Sequence, residues 1–256
     1  SPCRRPGAQP ERAGAAALNH RGAALSRRSS RSARGFTLIE LLIAIALLGL
    51  MALMSWRGID GMVRAQQQTK ARGDALLTLQ AALGQWGADL DALVALPNTT
   101  PIDWDGQALR ITRRSSAGAD AGALVVAWSQ REVAGTTQWL RWQSAPVTTR
   151  GDWQRAWNQA TVWARSAGDA ERKGEVVLVP LMDWQIFYFR GNAWSNPLSS
   201  SGAPTAQSVG QASPAAKAQA LVPDGIRLQL DLGPNEALAG RLTRDWVNPL
   251  NGGGKS

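Results

Sequence analysis

Hydrophobic side chains form one unbroken run near the start of the chain. Between Phe36 and Trp56 only Glu40 carries a charge. A run of this length gives about 30 Å of helix at 1.5 Å per residue, which is the thickness of a bilayer core. It predicts a transmembrane helix over 36–56. We expect Trp56 to lie at the far membrane interface, because an indole ring suits headgroup depth.

The helical pattern continues beyond Trp56 and becomes amphipathic. Apolar residues recur at spacings of three and four, at Leu76, Leu79, Leu83, Trp86, Leu90 and Leu93. This spacing predicts a helix with one buried face, and Pro97 is expected to end it. We therefore predict one long helix, membrane-embedded over 36–56 and amphipathic over 57–96.

After Pro97 the apolar positions alternate with polar ones, which is typical of half-buried strands. The clearest strand is 226–232. Others are predicted around 109–112, 124–128, 137–143, 176–179, 185–190 and 242–247. The pattern of the segment 152–164 does not distinguish a helix from a strand. The segment 198–220, rich in Ser, Ala, Gln and Pro, predicts a flexible loop. The predicted class is α+β, with the long helix packed on antiparallel sheet in a β-rich domain over 97–256.

The excess of positive charge is concentrated before the apolar run. The whole chain has a net charge of +9, but eight arginines and a single acid precede Phe36. The remainder is close to neutral, which argues against a basic nucleic-acid footprint on the folded domain. Arginines are also denser before the run than after it. This bias predicts a cytoplasmic N-terminus and a C-terminal domain across the membrane.

Few side chains with catalytic chemistry follow the apolar run. The only histidine is His20 and the only cysteine is Cys3. The chain after Phe36 therefore lacks an imidazole base, a thiol nucleophile and the nitrogen and sulfur ligands of zinc. We predict no enzyme activity, no cofactor and no metal.

The segment from Arg34 to Leu48, RGFTLIELLIAIALL, resembles the processing site of type IV prepilins and pseudopilins. The resemblance implies that a prepilin peptidase cleaves between Gly35 and Phe36 and methylates the new amino terminus of Phe36. It also implies a leader over 1–35. An isolated charge in a membrane span indicates function. By the resemblance, the carboxylate of Glu40 meets the amino terminus of a neighbouring subunit during assembly.

An ordinary secretory or twin-arginine signal is an alternative, given Arg27 and Arg28. Its apolar region would be unusually long, and no A-x-A cleavage site follows.

Three further groups of residues are candidates for binding. Asp103 and Asp105 suggest a calcium loop fragment, with Asp89 and Asp91 upstream, but we favour a turn because the remaining oxygen ligands are missing. The twelve tryptophans are interpreted mainly as core. Trp139 and Trp142 are expected on opposite faces of one strand, and one of them is a candidate partner contact. The cluster of Arg110, Arg113 and Arg114 is interpreted as a solvated strand edge.

Several later segments resemble one particular type of pseudopilin. They are 79–90 (LQAALGQWGADL), 176–197, 221–232 and 240–249, and they are similar to the J-type minor pseudopilin of type II secretion systems. The resemblance implies a pilin-like fold and an inner-membrane protein with a periplasmic domain. It implies partnership with the I- and K-type minor pseudopilins and the major pseudopilin in a tip complex. Alternatives are a W-type minor pilin of a type IV pilus, a DNA-uptake pilin and a membrane-anchored periplasmic enzyme.

Overall fold

The computed structural model describes residues 35–118, 121–199, 213–234 and 237–249. Of the leader predicted over 1–35, only Gly35 falls within these ranges. The chain divides into two units, Ser1–Trp56 and Arg57–Ser256. The first contains the start of helix α1, which spans Leu38–Asp91. Its residues up to Trp56 are all exposed, and this stretch is long and apolar enough to cross a membrane.

Helix α1 ends at Asp91, several residues before the predicted end near 96. The chain leaves the helix early because it pairs with a strand. Leu93 forms a bridge with Arg113, and the Val94 N–H donates to the carbonyl of Thr112 at 3.0 Å. Pro97 therefore lies in the connection beyond the helix.

Two antiparallel sheets form the second unit. Sheet A has the order β1-β2-β3-β4-β5 and sheet B has the order β7-β6-β8-β9. The strands are β1 Ile102–Trp104, β2 Ala108–Arg114, β3 Ala123–Val133, β4 Thr136–Gln143, β5 Glu175–Pro180, β6 Asp183–Arg190, β7 Ala193–Ser195, β8 Gly225–Leu232 and β9 Gly240–Val247. Every strand predicted from the alternating pattern is present, and the predicted α+β class is confirmed.

Three shorter helices complete the described elements: α2 Arg150–Ser166, α3 Asp169–Arg172 and α4 Pro214–Ala220. The ambiguous segment 152–164 belongs to α2. Its N-cap is Thr149, whose hydroxyl accepts from the Asp152 N–H at 3.1 Å. The prediction of a loop over 198–220 is wrong for α4, where Ser213 caps the helix and Pro214 occupies its first turn. Residues 200–212 lie outside the described ranges.

Sheet A is covered on both faces. One face packs with the last turns of α1 and with sheet B, and the other packs with α2. The first of these cores is centred on tryptophans from α1 and both sheets: Trp86, Trp104, Trp128, Trp139 and Trp184, with ring centroids 4.5–6.4 Å apart. The prediction that most tryptophans are core residues is confirmed.

Trp139 and Trp142 lie on opposite faces of β4, as their spacing predicts. Trp139 belongs to the core beside α1 and Trp142 to the core beneath α2. Both are buried, and the Trp142 Nε1–H donates to the carbonyl of Glu171 at 2.8 Å. The proposal that one of them contacts a partner subunit is therefore wrong.

Asp89, near the end of α1, is fully buried and is surrounded by donors from sheet A. Its Oδ2 accepts from Arg141 Nε at 2.7 Å and from Trp128 Nε1 at 3.0 Å. Its Oδ1 accepts from Arg141 Nη2 at 2.9 Å, from Gln85 Nε2 at 2.9 Å and from Arg113 Nη1. We call Asp89, Arg113 and Arg141 with these partners the Asp89 cluster. It joins α1 to strands β2, β3 and β4.

The prediction of a solvated arginine edge is wrong for Arg110 and Arg113. Strand β2 lies inside sheet A, and both side chains are about nine-tenths buried. Arg113 pairs with Asp89, and Arg110 pairs with Asp103 and, at 3.4 Å, with Asp105. Only Arg114 is exposed.

The turn predicted for Asp103 and Asp105 is correct for one of the two residues. Asp103 lies in β1. Asp105 follows that strand, and its Oδ1 accepts from the N–H groups of Gln107 and Ala108 at 3.0 and 2.9 Å. Among the described residues no group of three or more His, Cys, Asp or Glu side chains is arranged to hold a metal.

Replacing Asp89 should destabilise the protein strongly. In Asp89→Asn the two buried guanidinium groups lose their counter-charge, which costs about 3–5 kcal/mol. Asp60→Asn is a matched control on the same helix, because Asp60 forms an exposed pair with Arg64 at 2.8 Å. It should cost about 0.5 kcal/mol or less. The measurement is urea unfolding of the full chain in detergent, followed by tryptophan fluorescence. Similar losses in both variants would contradict this description.

Replacing Tyr188, the only tyrosine of the chain, should have the opposite effect and stabilise the protein. Its hydroxyl is buried and has no hydrogen-bond partner within the described residues. Burial, together with the charge of Asp103, raises its pKa well above the ordinary value of about 10. The unfolded chain therefore loses this proton first, so stability falls as pH rises above about 10.

Tyr188→Phe removes the unpaired hydroxyl. It should raise the free energy of unfolding at pH 7 by about 1 kcal/mol and flatten the alkaline loss of stability. Urea unfolding at pH 7 and at several values above pH 10 tests both effects. A clear destabilisation at pH 7 would mean that the hydroxyl has a partner.

Candidate processing and assembly site

The described residues before helix α1 lie outside any helix or strand and are open to solvent. Gly35, Phe36 and Thr37 are not helical, and the helix begins at Leu38. The Phe36 side chain is 88% exposed. A Cβ atom added at Gly35 would meet no atom within 4 Å. The packing of the described residues therefore does not require glycine at position 35.

Thr37 and Glu40 form a capping box at the first turn of α1. The Glu40 N–H donates to Thr37 Oγ1 at 3.3 Å, and the Thr37 N–H donates to Glu40 Oε2 at 3.0 Å. The Thr37 hydroxyl also donates to Oε2 at 3.0 Å. Two backbone donors that a helix start leaves unpaired are thus satisfied. The negative charge also lies at the positive end of the helix dipole.

The Glu40 carboxylate retains binding capacity. All of its described contacts involve Oε2, and Oε1 accepts no hydrogen bond from the described residues. A carboxylate accepts through both oxygens, so Oε1 is available to a cationic donor. The side chain is exposed, and no described residue of this unit blocks access to it.

Trp56 lies at the end of the first unit and is 73% exposed. From Leu38 to Trp56 the helix rises by about 27 Å at 1.5 Å per residue. Glu40 and Trp56 therefore lie near opposite ends of the apolar stretch and do not form one site. The interfacial position of Trp56 stays a prediction.

Two features were missed by reasoning from the sequence. The capping box has a recognisable signal, since TLIE fits the pattern S/T-x-x-E before an apolar run. The Asp89 cluster has no comparable signal, because its acid lies 24 residues from Arg113 and 52 from Arg141 in the chain.

Residues 30–56 match a family model described as the prokaryotic N-terminal methylation motif. The matched range contains Gly35, Phe36, Glu40 and Trp56. The motif supports a type IV pilin-like protein, either a pilin or a pseudopilin, and the α+β fold agrees with it. Within the part of the chain that the structure describes, one helix is long and apolar enough to cross a membrane, and this helix and the motif together fit a single-pass membrane anchor.

Proposed function

We propose that this protein is a minor pseudopilin of the J type, part of the tip complex of a type II secretion pseudopilus. The observation that carries the proposal is the open Gly35–Phe36 segment directly before a capped apolar helix, within the matched motif. The peptidase cleaves there and methylates Phe36, and the helix then anchors the domain in the inner membrane. Its partners are the I- and K-type minor pseudopilins and the major pseudopilin.

The later segments similar to J-type pseudopilins favour this proposal over its nearest alternative, a W-type minor pilin. A DNA-uptake role is disfavoured, because Arg110 and Arg113 are engaged in buried ion pairs and only Arg114 of that group is exposed. An enzymatic role is disfavoured as well, because Asp103 and Asp105, two acids that lie close together in the sequence, both contact Arg110. The domain instead presents surfaces to other subunits.

Co-purification distinguishes these assignments. The tagged full chain, extracted from membranes in mild detergent, should retain I- and K-type minor pseudopilins. Retention of the minor pilins of a type IV pilus in their place would favour the W-type alternative, and retention of neither set would contradict a place in a tip complex.

Gly35→Val should leave an unprocessed precursor. A peptidase must bring the backbone close to its catalytic groups, and a side chain at this position obstructs that approach. Because a Cβ atom at position 35 would meet no described atom within 4 Å, the substitution leaves the packing of the described residues unchanged. The intact mass of the membrane-extracted protein is the measurement. The wild type should begin with N-methylated Phe36, and any other start would contradict the proposal.

Two substitutions separate the charge of Glu40 from its capping role. Glu40→Gln keeps an acceptor that fits the capping box but lacks the charge that neutralises a partner's amino terminus. Thr37→Ala keeps the charge and removes the box, at a cost of about 1 kcal/mol in helix stability. We expect secretion and co-purification to fall clearly in Glu40→Gln and only slightly in Thr37→Ala. The reverse order would show that Glu40 acts mainly as a helix cap.

A further inference from the structure

The Asp89 cluster contains more positive than negative charge. Two guanidinium groups, from Arg113 and Arg141, share one carboxylate, and both donate to its Oδ1. The remaining described donors to Asp89 come from the neutral side chains of Gln85 and Trp128. The cluster therefore carries one unmatched positive charge, held where each arginine side chain is about nine-tenths buried.

The acceptor capacity of Asp89 is fully used. It accepts five hydrogen bonds, three at Oδ1 and two at Oδ2, whereas a carboxylate offers about four lone-pair sites. The arginines, by contrast, retain donors. Arg113 Nη2 and Arg141 Nη1 have no acceptor within the described residues, and neither belongs to the fully buried unpaired atoms. Both nitrogen atoms are thus placed to bind a group that arrives from solvent.

The described residues next to the Asp89 cluster do not neutralise its excess positive charge. Asp91 is the next acid along α1, and its Oδ1 accepts from Trp246 Nε1 at 2.8 Å. Asp91 lines a small cavity together with Arg114, a further cation. On the side of Arg141 the neighbour is Gln143, whose neutral Oε1 accepts from Arg141 Nη2 at 2.9 Å. Gln143 and Gln85 are only half-buried, so two neutral side chains at the cluster are partly open to solvent.

We propose that the Asp89 cluster is an oxyanion-binding site. Its ligand is a carboxylate or phosphate group that takes the outward donors of Arg113 and Arg141 and neutralises the unmatched charge. Guanidinium groups suit such ligands, because their planar N–H donors match the spacing of the oxygen atoms. In an assembly the group is an acidic side chain of another subunit, and in solution it is a free anion.

The test uses the full chain in detergent and a variant that supplies the second carboxylate internally. In Gln143→Glu the new carboxylate takes the position of an amide oxygen that already contacts Arg141, so the charges balance. Gln154→Glu is the matched control, because Gln154 is exposed on α2, contacts Asn158 and lies on the opposite side of sheet A. Melting is followed by tryptophan fluorescence, while phosphate replaces sodium chloride at constant ionic strength.

Phosphate should raise the melting temperature of the wild type and of Gln154→Glu by roughly 2–4 °C. Gln143→Glu should melt higher than the wild type without phosphate and should not respond to it. An equal response in all three proteins would indicate a general salt effect and overturn the proposal. So would the absence of a response in the wild type, or a lower melting temperature of Gln143→Glu.

A second pair of probes distinguishes the source of the oxyanion. The blocked peptide Ala-Glu-Ala should raise the wild-type melting temperature if an acidic side chain fits the site, and Ala-Gln-Ala should not. If phosphate acts and neither peptide does, the site takes free phosphate only, and the part of the proposal that concerns a partner side chain is wrong.

Discussion

The attachment of helix α1 to sheet A depends on the burial of one carboxylate. A carboxylate removed from water loses several kcal/mol of hydration, and each buried guanidinium loses a similar amount. The Asp89 cluster offsets this loss through five hydrogen bonds and through the charges of Arg113 and Arg141. Because Arg113, Trp128 and Arg141 come from three different strands, their contacts with Asp89 form together only when α1 and sheet A are in register. Apolar packing alone tolerates small slips of a helix along a sheet, whereas an ion cluster does not.

A second carboxylate extends this attachment to sheet B. Asp91 lies two residues after Asp89 and accepts from Trp246 on β9. The last turn of α1 thus contacts both sheets through polar groups. Between them, Trp86 packs against Trp128 and Trp139 of sheet A and against Trp184 of sheet B. The polar contacts set the register, and each tryptophan ring adds about 150–250 Å² of buried area to the core.

The sequence predicted local elements well and long-range contacts poorly. Strands such as β8 were recognisable because Ile226, Leu228 and Leu230 face one core while polar residues face solvent. The sequence left the segment of α2 ambiguous because the residues around Val162 favour a strand. A helix is needed there because the second face of sheet A must be covered, and the local sequence does not show this. Arg113 was misjudged because alternation along a strand shows which face a side chain occupies. It does not show whether that face meets water or a carboxylate from a distant helix.

Glu40 and Asp89, near the two ends of α1, differ in whether their carboxylates can still accept hydrogen bonds in the folded protein. Asp89 has both oxygens fully used and can accept no further donor. Glu40 uses Oε2 in the capping box, while Oε1 has no donor among the described residues. The capping box also restricts the rotamers of Glu40, so less side-chain entropy is lost when a cation binds. Capping and pairing are therefore compatible: the hydrogen bonds that begin the helix occupy Oε2 and leave Oε1 for the amino terminus of another subunit, the partner that we propose for it.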